Sequence, residues 1–218
     1  MRLDGICMAD SRRVDLAENH TEDLLKKILD TLDGLSYIKA ADIPNIDLYM
    51  DQVTTFMDSR LRDGVRNPGE DKILTKTMIN NYAKNDLLPP PVKKKYSKEH
   101  VLLLIFIYYY KGIMSISDIQ TLLQPITEKY FQKNDQLSLE DIYEEVFGME
   151  KDQIEWLKKD VVAKYRESEK TFLQVPEEER EFLQKFAFIC LLSYDVYEKK
   201  RMIEHMVDEL RTELAGEK

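Results

Sequence analysis

Three observations predict a mainly α protein. Glycine and proline are scarce, seven of each in 218 residues, and three of the prolines stand together at Pro89-Pro90-Pro91. So few breakers favour long helices over the many turns of an all-β fold. Apolar residues are 43% and charged residues 33% of the chain, which fits an ordered, soluble protein with a substantial core. Apolar side chains also recur at three- and four-residue steps over most of the sequence.

In chain order, residues 1–15 show no period and read as a loose arm. From Leu16 a helix is expected, carrying Leu24, Leu25, Ile28, Leu29, Leu32 and Leu35, with its end near Gly34. Asn45 or Asp47 can cap a second helix bearing Leu48, Val53, Phe56, Met57 and Leu61. Gly64-Val65-Arg66-Asn67-Pro68-Gly69 is a loop. Thr75 or Thr77 then caps a short helix that runs to Asn85 and turns Met78, Ile79 and Tyr82 inward. Leu87-Leu88 anchors a loop that the three prolines hold extended, followed by Lys93-Lys94-Lys95 and Tyr96.

Ser97 with His100 opens the next helix, and Val101–Tyr110 is apolar on nearly every side, so other elements should surround it. Its ten residues fall far short of the ~20 that a membrane span needs. Tyr108, Tyr109 and Tyr110 at its end are assigned to the core edge rather than to base stacking. Ser115 starts a helix with Ile116, Ile119, Leu122 and Leu123 on one stripe up to Pro125. Ser138 and Asp141 form a capping box for a helix that Gly148 stops. Asp152–Phe172 is helical, and from Pro176 a span without Gly or Pro reaches Ala215. There Phe186–Leu192 is apolar all round, while Ile203, Met206, Val207, Leu210 and Leu214 form a one-sided stripe. That stripe either meets a second copy or folds back onto its own chain.

Charge gives the functional signal. Lys72–Lys98 holds seven lysines against one acid, Asp86, a local +6 in a chain of net −9, which leaves −15 for everything else. Lys76, Asn80 and Lys84 recur every four residues with Thr77 and Asn81 beside them, an acid-free face whose groups can reach base edges and phosphates in a major groove. An ordinary solvated helix face has the same composition, and a lysine triplet is commonly just a charged loop. The pairing of both basic elements around one apolar anchor has the layout of a recognition helix and a wing.

The segment Ile79–Leu123 resembles the DNA-binding domain of the MerR-type winged helix-turn-helix regulators. The resemblance rests on Tyr82, Leu87-Leu88-Pro89-Pro90, Lys94-Lys95-Tyr96-Ser97 and Ser115-Ile116-Ser117-Asp118-Ile119. Asn80-Asn81 stands where that family has Arg-Tyr, Asp86 where it has glycine, and the loop Asp63–Ile73 is longer than its turn. The chain as a whole also resembles an uncharacterised family of Gram-positive bacteria, catalogued as a domain of unknown function.

The resemblance implies an N-terminal arm and helix over 1–40, a winged helix-turn-helix domain over 41–125, and a helical dimerisation or signal-receiving region over 126–218. It implies double-stranded DNA as partner, with Lys76, Thr77, Asn80, Asn81, Lys84, Lys93, Lys94, Lys95 and Tyr96 as the contacting residues. A homodimer is expected, with the C-terminal helices also open to a ligand or protein partner. The alternative is a helical interaction module that keeps the winged fold without DNA, for which Asn80 in place of arginine is the ground. No nucleophile–base pair, phosphate loop or metal-ligand spacing is present, and Cys7 and Cys190 form no redox spacing. A non-enzymatic, cytoplasmic protein without cofactor or membrane span is expected.

Overall fold

The computed structural model describes residues 23–34, 37–133 and 136–216, and these are mainly helical. In chain order the elements are α1 (23–33), β1 (Leu48–Tyr49), α2 (Met50–Leu61), α3 (Lys76–Lys84), β2 (Lys95–Tyr96), α4 (Lys98–Tyr110), α5 (Ile116–Tyr130), α6 (Leu139–Gly148), α7 (Glu150–Glu169) and α8 (Glu177–Gly216). Single 3-10 turns lie at Ala40–Asp42 and Arg62–Gly64. Two compact units result. Among the described residues, one joins 23–34 to Glu150–Tyr197 and the other joins Tyr37–Met149 to 198–216.

The first unit has a small core. Val161 and Tyr165 of α7 and Phe188 of α8 are buried together, with Leu25, Ile28 and Leu32 of α1 and Leu192 packed around them. Tyr165 meets Phe188 edge to face at 5.5 Å. Lys164 holds Asp195 at 2.8 Å and also pairs with Asp160, and Lys158 pairs with Asp33. Between α7 and α8, Arg180 donates to the carbonyls of Leu173 and Val175, and Gln184 to those of Glu169 and Thr171. Gln184 thereby satisfies the last carbonyl of α7, and the other bonds tie down the segment that connects it to α8. Phe186–Leu192 is not enclosed on all sides: Phe188 is buried, but Phe186, Ile189 and Leu191 are exposed. Here α8 packs along one face only, toward α1 and α7. The N-terminal arm, residues 16–22 and Leu35 lie outside the described residues.

The second unit is built around α4. Every side chain from His100 to Ile107 is at most 3% exposed, and the helix touches α5, α6 and β2. Its core takes Val53, Met57 and Leu61 from α2, Ile79 and Tyr82 from α3, Leu87 and Leu88 from the following turn, Ile119 and Leu123 from α5, and Leu139 and Tyr143 from α6. At its far end Tyr37, Phe106, Tyr109, Tyr143 and Phe147 form an aromatic cluster with ring centroids 4.3–5.9 Å apart.

The helix starts follow capping chemistry. Thr75 accepts from Met78 N at 3.1 Å, and Ser115 with Asp118 and Ser138 with Asp141 close reciprocal boxes. These bonds hold the Asp118 and Asp141 carboxyls below their ordinary range, Asp118 through Ser115 first and Arg211 second. Neither Asn45 nor Asp47 caps α2. Leu48–Tyr49 instead pairs antiparallel with Lys95–Tyr96, and Gln52 accepts from Tyr49 N at 2.8 Å. α5 does not stop at Pro125 but runs on to Tyr130, because Ile126 and Tyr130 add apolar contact to the core beyond the lost hydrogen bond. The C-terminal stripe folds back. Val207 is 4% exposed within this core, Ile203 packs beside it, and Arg211 donates to Asp118 at 2.7 Å. Met206 points to solvent.

His100 is the one buried imidazole among the described residues of this core. Its Nδ1 accepts from Ser97 N at 3.0 Å, and its ring stands edge-on to Tyr96 and Phe131. Nε2 has no hydrogen-bond partner among the described residues, although the carbonyls of Pro89 and Pro90 lie near enough to favour the charged ring. Desolvation outweighs that attraction and lowers its pKa from the ordinary 6.5. An unfolded chain therefore takes up the proton first, and stability should fall as pH drops through about 6.5. Thermal melts between neutral and mildly acidic pH should show this fall, and His100→Gln, which keeps an acceptor for Ser97 N, should flatten it. Equal pH slopes in the two proteins would remove His100 as the cause.

Candidate nucleic-acid interface

The basic residues gather through the folding of α2, α3 and the β-ribbon. Ile79 and Tyr82 bury one side of α3, and this fixes its rotation. Lys76, Thr77, Asn80, Asn81 and Lys84 are exposed on the outward side. Among the described residues, the side chains of Thr77, Asn80, Asn81 and Lys84 make no intramolecular hydrogen bond or ion pair. Asn85 spends its amide on the Asn81 carbonyl at 2.8 Å and leaves the Asn81 side chain open.

The end of α3 explains how the chain reaches the wing. Asp86 has φ 55°, and Leu87 N donates to Tyr82 O at 2.9 Å, a left-handed cap that turns the chain sharply. Aspartate tolerates this conformation better than most residues other than glycine. Leu87 and Leu88 then drop into the core, and the prolines lead to a two-residue hairpin. Val92 and Lys95 exchange both backbone bonds, at 3.1 and 2.9 Å, around Lys93 (φ 51°) and Lys94 (φ 64°). Two positive φ angles in succession make a type I′ turn, where Asn-Gly is the favoured pair. Lysine at both places carries backbone strain and puts two exposed ammonium groups at the tip.

Two side-chain contacts bring α3 and the wing to one place. Asp51 in the first turn of α2 pairs with Lys76 of α3. Tyr49, which precedes the same turn, carries Lys95 Nζ over its ring at 5.2 Å. Lys76 and Lys95 are thus tied to neighbours, while Lys84, Lys93 and Lys94 have none among the described residues. Tyr96 is 2% exposed and belongs to the core beneath the wing, where burial raises its pKa. It positions the ribbon and does not line the surface.

The sequence reading missed Arg62. It pairs with Asp58 and donates through Nη1 to the carbonyls of Pro68 (2.5 Å) and Asp71 (2.7 Å). Asp71 in turn accepts from Asn67 N at 2.9 Å, and Lys111 donates to Ile73 O at 2.6 Å. These bonds fold the long connection between α2 and α3 into a fixed turn. A lone arginine before a loop gave no signal of that role.

The described residues hold no cluster of His, Cys, Asp or Glu able to bind a metal, and no helix among them is long and apolar enough to cross a membrane. An acid-free helix face with open amides, next to a lysine-tipped hairpin, can meet phosphates and base edges. Compared with known families, residues 38–146 match a domain of unknown function (DUF1836), a span that lies inside the 37–149 stretch of the second unit. No curated protein and no solved structure matches the chain.

The strained hairpin yields a test that separates fold from surface chemistry. Replacing Lys93-Lys94 with Asn-Gly should raise unfolding free energy by about 1–2 kcal/mol, since the new pair adopts the turn without cost. Chemical denaturation measures the change. A loss of stability would mean that the lysine side chains support the ribbon by contacts other than the turn.

Proposed function

We propose that this chain, which belongs to the DUF1836 family, is a sequence-specific double-stranded DNA-binding regulator of transcription with a winged helix-turn-helix mode of docking. The observation that carries the reading is the outward face of α3, joined at the first turn of α2 to the Lys93-Lys94 tip. In this docking α3 enters the major groove. Asn80 and Asn81 read base edges, and asparagine pairs bidentately with adenine. Lys76, Thr77 and Lys84 approach phosphates beside the groove, and Lys93 and Lys94 engage the backbone on the flank. Lys95 and Tyr96 hold the ribbon in place. The −15 carried elsewhere does not prevent contact, because screening over ~8 Å lets the local patch dominate there.

Lys76, already neutralised by Asp51, favours a second reading: an interaction module that keeps this architecture without DNA. Mobility shifts with genomic fragments, including the chain's own upstream region, separate the two. On a bound fragment, Asn80→Ala and Asn81→Ala should each relax sequence preference by ~1–3 kcal/mol of discrimination. Stability should stay within about 0.5 kcal/mol, because both positions are exposed. Lys93→Ala with Lys94→Ala should weaken all sequences alike and flatten the salt slope by up to ~0.9 log units per lost phosphate contact. Absence of any shift at low salt would leave the interaction module standing.

A further inference from the structure

α8 carries an apolar stripe that the first unit does not use. Phe182, Phe186, Ile189 and Val196 recur with Ser193 at steps of four, three, four and three, and Tyr197 lies beside them. The five apolar residues are 54–71% exposed, while Phe188, Leu192 and Asp195 on another face make the contacts with α1 and α7. Such spacing is the seam of paired helices. The charges along α8 say which partner fits. Glu177, Glu178, Glu179 and Glu181 lie before the stripe, and Lys199, Lys200 and Arg201 lie after it. A parallel second copy would set acid against acid and base against base. An antiparallel one sets each acidic end against a basic end, with the two-fold axis near Ile189 and Cys190.

We propose that two copies of this chain associate through antiparallel packing of α8 over Phe182–Tyr197. Aromatic side chains carry ~150–250 Å² each, so at these exposures the stripe offers on the order of 500 Å² per copy, and the pair together reaches about the ~1,000 Å² at which specific interfaces begin. The symmetry is isologous, the same patch meeting itself. This inference extends to the homodimer expected from the sequence but moves its seam from Ile203–Leu214, which is folded inward, to the stripe before it.

Sedimentation of the full chain at about 50 µM, where a small interface of this kind is populated, should show a dimer. Phe186→Glu should give a monomer, and its unfolding midpoint should match that of the parent chain when both are diluted to the monomer, because Phe186 is exposed. Orientation is read by disulfides in a Cys7→Ser, Cys190→Ser background. Glu179→Cys with Lys200→Cys in one chain should oxidise to a covalent dimer, and neither single variant should. A monomeric full chain, a dimer that survives Phe186→Glu, or self-linking of the single variants would each overturn the proposal. No DNA is present in these measurements, so their failure leaves the DNA reading untouched.

Discussion

Between His100 and Ile107 no residue of α4 has a solvent side, and the second unit is the set of elements needed to surround it. Eight successive buried residues cannot be covered by one partner. α2, α3, α5 and α6 each contribute apolar residues to the enclosing layer, and the leucine pair and Tyr96 close the side facing the wing. The basic surface is a by-product of that enclosure. Ile79 and Tyr82 must face inward, so the asparagines and lysines of α3 must face out. Leu87, Leu88 and Tyr96 must be buried, so the lysines between them are forced to the tip.

Electrostatics then refine what packing provides. Of the seven lysines in the basic window, Lys76 is paired with Asp51, Lys95 sits over Tyr49, and Lys98 binds Glu140 at 2.7 Å. Those three orient secondary elements relative to one another, and the exposed Lys72, Lys84, Lys93 and Lys94 carry the net field outward. Strain is concentrated at the same place, with Asp86, Lys93 and Lys94 all at positive φ within nine residues. The long connection upstream is by contrast well satisfied, since Arg62 and Lys111 supply donors to its carbonyls.

The helical class, the buried α4 and the cap at Ser138 were legible in the sequence because each rests on local pattern or a local hydrogen bond. The outward face of α3 was legible for the same reason, once Ile79 and Tyr82 were assigned inward. What local pattern cannot carry was missed. β1 is two residues long and exists only through pairing with β2, some fifty positions away. α5 passes Pro125 because tertiary packing outweighs one lost bond. The resemblance placed Tyr96 among the DNA contacts, yet the ribbon's alternation turns it inward. In α8, the exposure of Phe186 and Ile189 depends on how many neighbours the first unit supplies, which composition does not report.

The second unit is discontinuous in the chain, and this bears on how the protein is made. Val207 lies in the core built from Tyr37–Met149, and Arg211 joins Asp118 across 93 positions. On a ribosome delivering residues from the N-terminus, that core stays uncovered along one side while the whole of α7 and most of α8 are synthesised. A nascent chain halted before residue 203 would lack Val207 in that core and the bonds from Arg211 to Asp118 and Thr121 of α5. The final turns of α8 therefore act as a closing step in biogenesis, and a premature stop in this region would leave a partly uncovered core for chaperones to bind.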